Sequence, residues 1–152
     1  LELARKLGIV DYPNPSGGCL LTEPNFARRL REHLKNEKTL TLRDVALLKL
    51  GRHFRVNDAK IIVGRNEEEN KKLLTIARKH EIPSLEAVDH MGPLTLLVGE
   101  ANRDVLRKAV AITVRYSDAP RAIPVRVRYR DKEERMFETE AMNDEDLEML
   151  RV

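Results

Sequence analysis

The chain has 152 residues, 41% of them hydrophobic and 35% charged, with a net charge of +3. That is enough for one domain with its own core, and the balance is that of a soluble protein rich in surface charge. No segment reaches the roughly 18 apolar residues of a membrane-crossing helix, no signal-peptide pattern occurs, and the single cysteine, Cys19, excludes an internal disulfide framework and points to a reducing, cytoplasmic setting.

The chain opens Leu1-Glu2-Leu3-Ala4 without an initiator methionine, so it reads as a piece of a longer protein. The net charge hides a split. Residues 133–152 hold eight acids and two bases, whereas residues 1–132 hold 26 bases and 17 acids. A basic body with an acidic tail suggests a polyanionic partner for the body, and a solvated surface without a partner is the alternative.

In chain order, residues 1–7 carry Leu3 and Leu7 at helical spacing, and two prolines and two glycines make 11–18 a linker or tight loop. Thr22-Glu23-Pro24 then opens a helix, with Thr22 as N-cap and an apolar stripe of Phe26, Leu30 and Leu34. Arg28, Arg29 and Arg31 fall off that stripe. Thr41 and Asp44 form a capping box for a short helix bearing Val45 and Leu48, and Gly51 is its natural C-cap. Residues 53–56 and 60–63 read as two strands turning at Asn57-Asp58, and Gly64-Arg65-Asn66 ends the pattern before a helix over 67–80. A strand at 85–88, a loop at 89–93, a strand at 95–98 and a helix at 102–115 follow. Val125–Tyr129 alternates strictly, 136–139 is its antiparallel neighbour, and 144–150 is a terminal helix. The expected fold is α+β, a mostly antiparallel sheet flanked by helices.

Few residues invite catalysis. Ser16-Gly17-Gly18 lacks the Lys-Ser/Thr of a Walker loop and reads as a turn. Cys19 is a candidate sulfur carrier near Arg28 and Arg29, or a small buried hydrophobe. His33, His53, His80 and His90 have no metal-ligand spacing. Asp89-His90 is an acid–base pair or, more commonly, a loop histidine capped by its neighbour. The basic constellation is stronger. The period of two in Val125–Arg130 puts Val125, Val127 and Tyr129 on one face and Arg126, Arg128 and Arg130 on the other. Three like charges on one strand face need compensation, either by phosphates or by Glu133, Glu134 and Glu138 across the hairpin. Arg52, His53 and Arg55 extend the patch, and Lys60, Arg65, Arg107, Lys108, Arg115 and Arg121 are further candidates. Aromatic residues are only 4% of the chain, so recognition by RNA shape and backbone is favoured over base stacking.

The segments Asp11–Thr22, Leu48–Arg55 and Ile62–Asn70 resemble a family of bacterial PP-loop ATPases of tRNA thiouridylase type. These enzymes carry a C-terminal module similar to the NFACT RNA-binding domain. In that module a Gly-Arg-Asn/Asp turn leads a helix, and a later strand runs into an Asp/His-x-x-Gly turn. Gly64-Arg65-Asn66 is similar to the first, Val88-Asp89-His90-Met91-Gly92-Pro93 to the second, and residues 105–118 to the helix that follows. The resemblance covers roughly residues 1–130. It implies a linker from an ATPase domain at 1–18 and an NFACT-like RNA-binding domain at 19–152. RNA contacts are expected from Arg52, His53, Arg55, Arg65, Asn66, His90, Arg126, Arg128 and Arg130. The family's adenylation loop has no counterpart, so no catalytic residue is carried over; ATP and Mg belong to the other domain, and this piece is expected to need no cofactor. The expected partners are tRNA or another structured RNA and the ATPase domain, with no membrane. Two alternatives stand beside RNA binding: sulfur relay through Cys19, and a docking or dimerisation module.

Overall fold

The computed structural model describes residues 22–152. The expected helix at 1–7, the linker at 11–18, the Ser16-Gly17-Gly18 turn and Cys19 lie outside the described residues. The described residues fall into two compact units, divided between Lys49 and Leu50. No described helix is long and apolar enough to cross a membrane.

In the first unit, α1 (Pro24–Asn36) and α2 (Leu42–Leu48) bury Phe26, Leu30 and Leu48, with Leu34, Leu40 and Val45 packed around them. The N-cap of α1 is Glu23 and not Thr22. Its carboxylate accepts hydrogen bonds from the Phe26 and Asn25 amides at 2.6 and 3.1 Å. Those bonds hold its pKa below the ordinary glutamate range. A carboxylate here also meets the positive end of the helix dipole, which a threonine hydroxyl cannot exploit. Arg29 leaves the polar face. It is buried and donates from Nη1 to the Leu48 carbonyl at 3.1 Å, satisfying an end carbonyl of α2. The capping box of α2 forms as expected: Thr41 Oγ1 accepts from the Asp44 amide at 3.1 Å, and Asp44 Oδ2 accepts from the Thr41 amide at 2.9 Å. Lys49, not Gly51, is the C-cap.

The second unit is α+β. Six strands, β1 (Arg52–Val56), β2 (Ala59–Val63), β3 (Ser84–Ala87), β4 (Thr95–Val98), β5 (Val125–Arg130) and β6 (Glu134–Thr139), form one antiparallel sheet in the order β1-β2-β4-β3-β5-β6. Helices α3 (Glu67–His80), α4 (Arg103–Arg115) and α5 (Asp144–Leu150) complete it. One sheet face carries Phe54, Ile61, Leu97, Leu85, Val127 and Tyr129, which the strand register aligns. Val105, Ala109 and Ile112 on α4 and Leu147 on α5 join them in the main core. Each large aliphatic buried this way contributes about 1.5–3 kcal/mol. On the opposite face Ile62 and Leu96, paired across β2 and β4, are fully buried too, as is Leu73 on the inner side of α3.

Gly51, with φ +70°, lies beside Val63; a Cβ there would meet the Val63 carbonyl oxygen at 2.5 Å, so only glycine fits. The β1 edge is covered by the chain's end, where Phe54 bridges to Arg151 and the Val152 amide donates to the His53 carbonyl at 3.0 Å. Among the described residues β6 has no partner on its outer side, and its charged residues discourage edge-to-edge pairing.

Candidate nucleic-acid interface

On β5 the alternation holds. Val125, Val127 and Tyr129 are buried, and Arg126, Arg128 and Arg130 share the other face. Acids already compensate these arginines. Arg126 makes a two-pronged contact with Asp89 at 2.8–2.9 Å. Arg128 lies 3.4 Å from Glu86 and 3.3 Å from Glu134, and Arg130 lies 3.2 Å from Glu134 and 3.7 Å from Glu86. Glu86 comes from β3, whose register sets it opposite Arg128, and Glu138 sits opposite Arg126 on β6. Of the acids expected across the hairpin, Glu134 makes the contacts, and β3 and its following loop supply Glu86 and Asp89.

The other expected cations do not extend this patch. β1 is separated from β5 by three strands, or about 19 Å at the usual strand spacing. His53 and Arg55 do share the sheet face of the β5 arginines by register, but buried Ile62 and Leu96 lie between. His53 is itself buried, its Nε2 2.9 Å from the Leu50 carbonyl. Arg52 falls on the opposite face, with its guanidinium 4.6 Å from the centre of the Tyr116 ring. Period-two alternation forbids adjacent Arg52 and His53 from sharing a face. Arg55 donates to the Asp58 carbonyl at 3.2 Å, and His90 is half-buried in the loop after β3.

The Gly64-Arg65-Asn66 turn is built around Glu69. Asn66 caps α3 by accepting from the Glu69 amide at 2.9 Å. The Glu69 carboxylate accepts from the Gly51 and Arg65 amides at 3.1 and 2.9 Å and from the Arg65 guanidinium at 2.7–3.2 Å. Burial would push its pKa up, but the hydrogen bonds from Arg65 and Gly51 outweigh it and hold the carboxyl below the ordinary range. The neighbouring Asn70 side chain accepts from the Leu94 amide at 3.1 Å, tying the start of α3 to the approach to β4. The turn's polar groups thus serve the fold.

The part of the basic body from Leu50 onward and the acidic tail belong to one folded unit. Asp144 of the tail holds Arg115 at 2.8 Å and Arg121 at 3.6 Å, and Glu134 holds β5. Residues 50–152 contain 19 lysines and arginines against 19 acids, so the whole excess of positive charge lies in residues 1–49.

A groove in the second unit carries cations that have no acidic partner among the described residues. It runs between α4 and β6, has a volume of about 590 Å³, and is lined by Arg103, Leu106, Arg107, Arg135 and Phe137 together with the acid Glu138. Arg107 is paired with Asp104 at 3.0 Å. Among the described residues neither Arg103 nor Arg135 has an acidic partner. Arg135 instead lies over aromatic rings, 4.9 Å from the centre of Tyr129 and 5.7 Å from that of Phe137. Arg103 occupies the first position of α4, after the N-cap Asn102. A cation there opposes the helix dipole, whereas an anion would be favoured by both. Sequence reasoning named Arg107 but passed over Arg103 and Arg135. A cation at the first position of a helix was the available signal. Among the described residues, no three His, Cys, Asp or Glu side chains gather as a metal site would require.

The sequence model of the NFACT protein RNA-binding domain matches residues 51–151. The chain belongs to this family. The whole sheet, the Glu69-centred turn and the α4–β6 groove lie within the matched residues. A search of curated proteins returned no match. Among solved structures, the C-terminal part of the fibronectin/fibrinogen-binding protein from Streptococcus suis is similar, with a TM-score of 0.59 and 11% identity over 76% of this chain. At that identity the likeness is one of fold. The chain spans 63% of the length of that structure.

Proposed function

We propose that the chain binds structured RNA, tRNA in particular, by its phosphate backbone, as the RNA-holding part of a tRNA-modifying, thiouridine-forming enzyme. The ATP-dependent chemistry belongs in this reading to a PP-loop ATPase domain, because Asp11–Thr22 resembles the junction that follows such a domain, and no catalytic residue is assigned to this chain. Membership of an RNA-binding family supports the RNA partner.

The observation that carries the reading is the α4–β6 groove, where Arg103 and Arg135 stand without acidic partners beside the apolar wall of Leu106, Val110 and Phe137. Arginine forks suit phosphates, and a guanidinium plane beside an aromatic ring also accepts an unstacked base. The β5 arginines, each already held by an acid, are a weaker candidate, because a phosphate there must displace a carboxylate and meet its repulsion. Filter binding of tRNA to the whole chain across a salt series tests the proposal. The logarithm of the affinity should fall linearly with the logarithm of salt concentration. No binding, or binding indifferent to salt, would contradict it.

A further inference from the structure

The positive charge absent from the matched domain is concentrated on α1. Arg28, Arg31 and Lys35 follow one another at spacings of three and four residues, which aligns them on one side of the helix over about 10 Å. Lys38, just past the C-cap, continues the series. All four are exposed. Among the described residues none of them makes a hydrogen bond or an ion pair. The acids on and flanking α1 have other partners: Glu23 caps the helix and feels Arg29 and Arg28 only through space, Glu32 accepts from Asn36 at 2.9 Å, and Glu37 lies 3.8 Å from His33. The opposite side of α1 is closed by Phe26, Leu30 and buried His33, whose Nε2 lies 2.8 Å from the Thr39 carbonyl.

From this geometry we infer that α1 is a second RNA-contacting surface, outside the family domain, which lays Arg28, Arg31 and Lys35 along a phosphate backbone. The inference rests on the RNA-binding reading above. An unpaired row of cations on a rigid helix matches a row of phosphates by charge and by repeat, without any requirement for base identity. A lipid surface fits less well. Interfacial helices bury an apolar face in the bilayer, and the apolar face of α1 is already used in the core.

The test is the whole chain carrying Arg28→Gln, Arg31→Gln and Lys35→Gln, titrated with tRNA at several salt concentrations. The exposed positions and the good helix propensity of glutamine keep the fold, which circular dichroism and the melting temperature verify. Should the triple variant not fold, Arg31→Gln and Lys35→Gln singly serve the same purpose. If each cation neutralises one phosphate, the salt slope falls by about 2.1 to 2.7 in the triple variant, and by about 0.7 to 0.9 in each single variant. The loss is the same for unrelated tRNAs. An unchanged affinity and slope in the folded variants overturns the assignment of α1 while leaving the RNA-binding reading intact. Failure of the unmodified chain to bind tRNA overturns both. Binding to vesicles of phosphatidylserine that is lost in the variant, with tRNA binding unaffected, would make α1 a membrane surface instead.

Discussion

Arg126 and Asp89 meet through a guanidinium and a carboxylate at 2.8–2.9 Å, the tightest contact on the β5 face. The pair joins β5, the strand next to the β6 edge, to the loop after β3. With Arg128 and Arg130 held by Glu86 and Glu134, it makes the face a ladder of ion pairs internal to the protein. Replacing Arg126, Arg128 and Arg130 together by glutamine should therefore change tRNA affinity little, within about a factor of two, because no net phosphate contact is lost. Exposed pairs contribute about 0–1 kcal/mol each, so a small fall in the melting temperature is expected. A loss of affinity with a salt slope reduced by two or more, about three contacts' worth, would restore β5 as the RNA face.

Glu69 is a different kind of acid. Its carboxylate gathers two backbone amides and one guanidinium, and it joins the Gly51 approach to β1 with the turn before α3. Glu69→Gln removes the charge from these bonds and leaves a donor where acceptors are needed. Hydrogen bonds to charged groups are worth about 1.5–3 kcal/mol each, so a loss of roughly 2 kcal/mol or more is expected. Urea denaturation measures it; a loss below about 0.5 kcal/mol would be the range of ordinary surface changes and would deny the hub its role.

Acid should weaken the fold in a defined direction. At Glu69, burial is outweighed by the bonds from Arg65 and Gly51; at Asp44, burial is outweighed by those from Thr41 with help from His33 and Arg43. Both carboxyls lie below their ordinary values. A carboxyl whose pKa is lower folded than unfolded adds stability that is complete above the unfolded value, about 3.9 for Asp and 4.3 for Glu. The contribution is lost as pH falls from there through the folded value. Urea midpoints should hold between pH 7 and 6 and drop on acidification towards pH 3. Glu69→Gln should flatten part of that drop. An equal acid dependence in the variant would show that Glu69 is not one of the groups responsible.

The fold was largely legible because its signals are local. The Thr41–Asp44 capping box, the Asn57 turn with φ +53°, the α3 boundaries and the β5 alternation all appear where residue spacing places them. The misses come from long-range contacts. Arg29 looks like a surface residue, yet reaches the Leu48 carbonyl 19 positions away. Arg52, His53 and Arg55 look like neighbours of the β5 arginines only while the strand order is unknown; three intervening strands separate them. Compensation by Asp89 and Glu86, 37 and 42 positions from their partners, is equally invisible to a count of local charge. So was the groove, which exists only where α4 crosses towards β6.

The most direct measurement is tRNA affinity across a salt series for the whole chain carrying Arg103→Gln and Arg135→Gln. Both side chains line the groove, and neither is held by an acid among the described residues. Loss of the Arg135 ring contacts should cost stability only about 0.5–1 kcal/mol, so the variant should stay folded. Two lost phosphate contacts predict weaker binding and a salt slope reduced by about 1.4 to 1.8, the same for different tRNAs. Affinity and slope equal to those of the unmodified chain, in a variant that melts normally, would contradict the claim that this groove holds RNA.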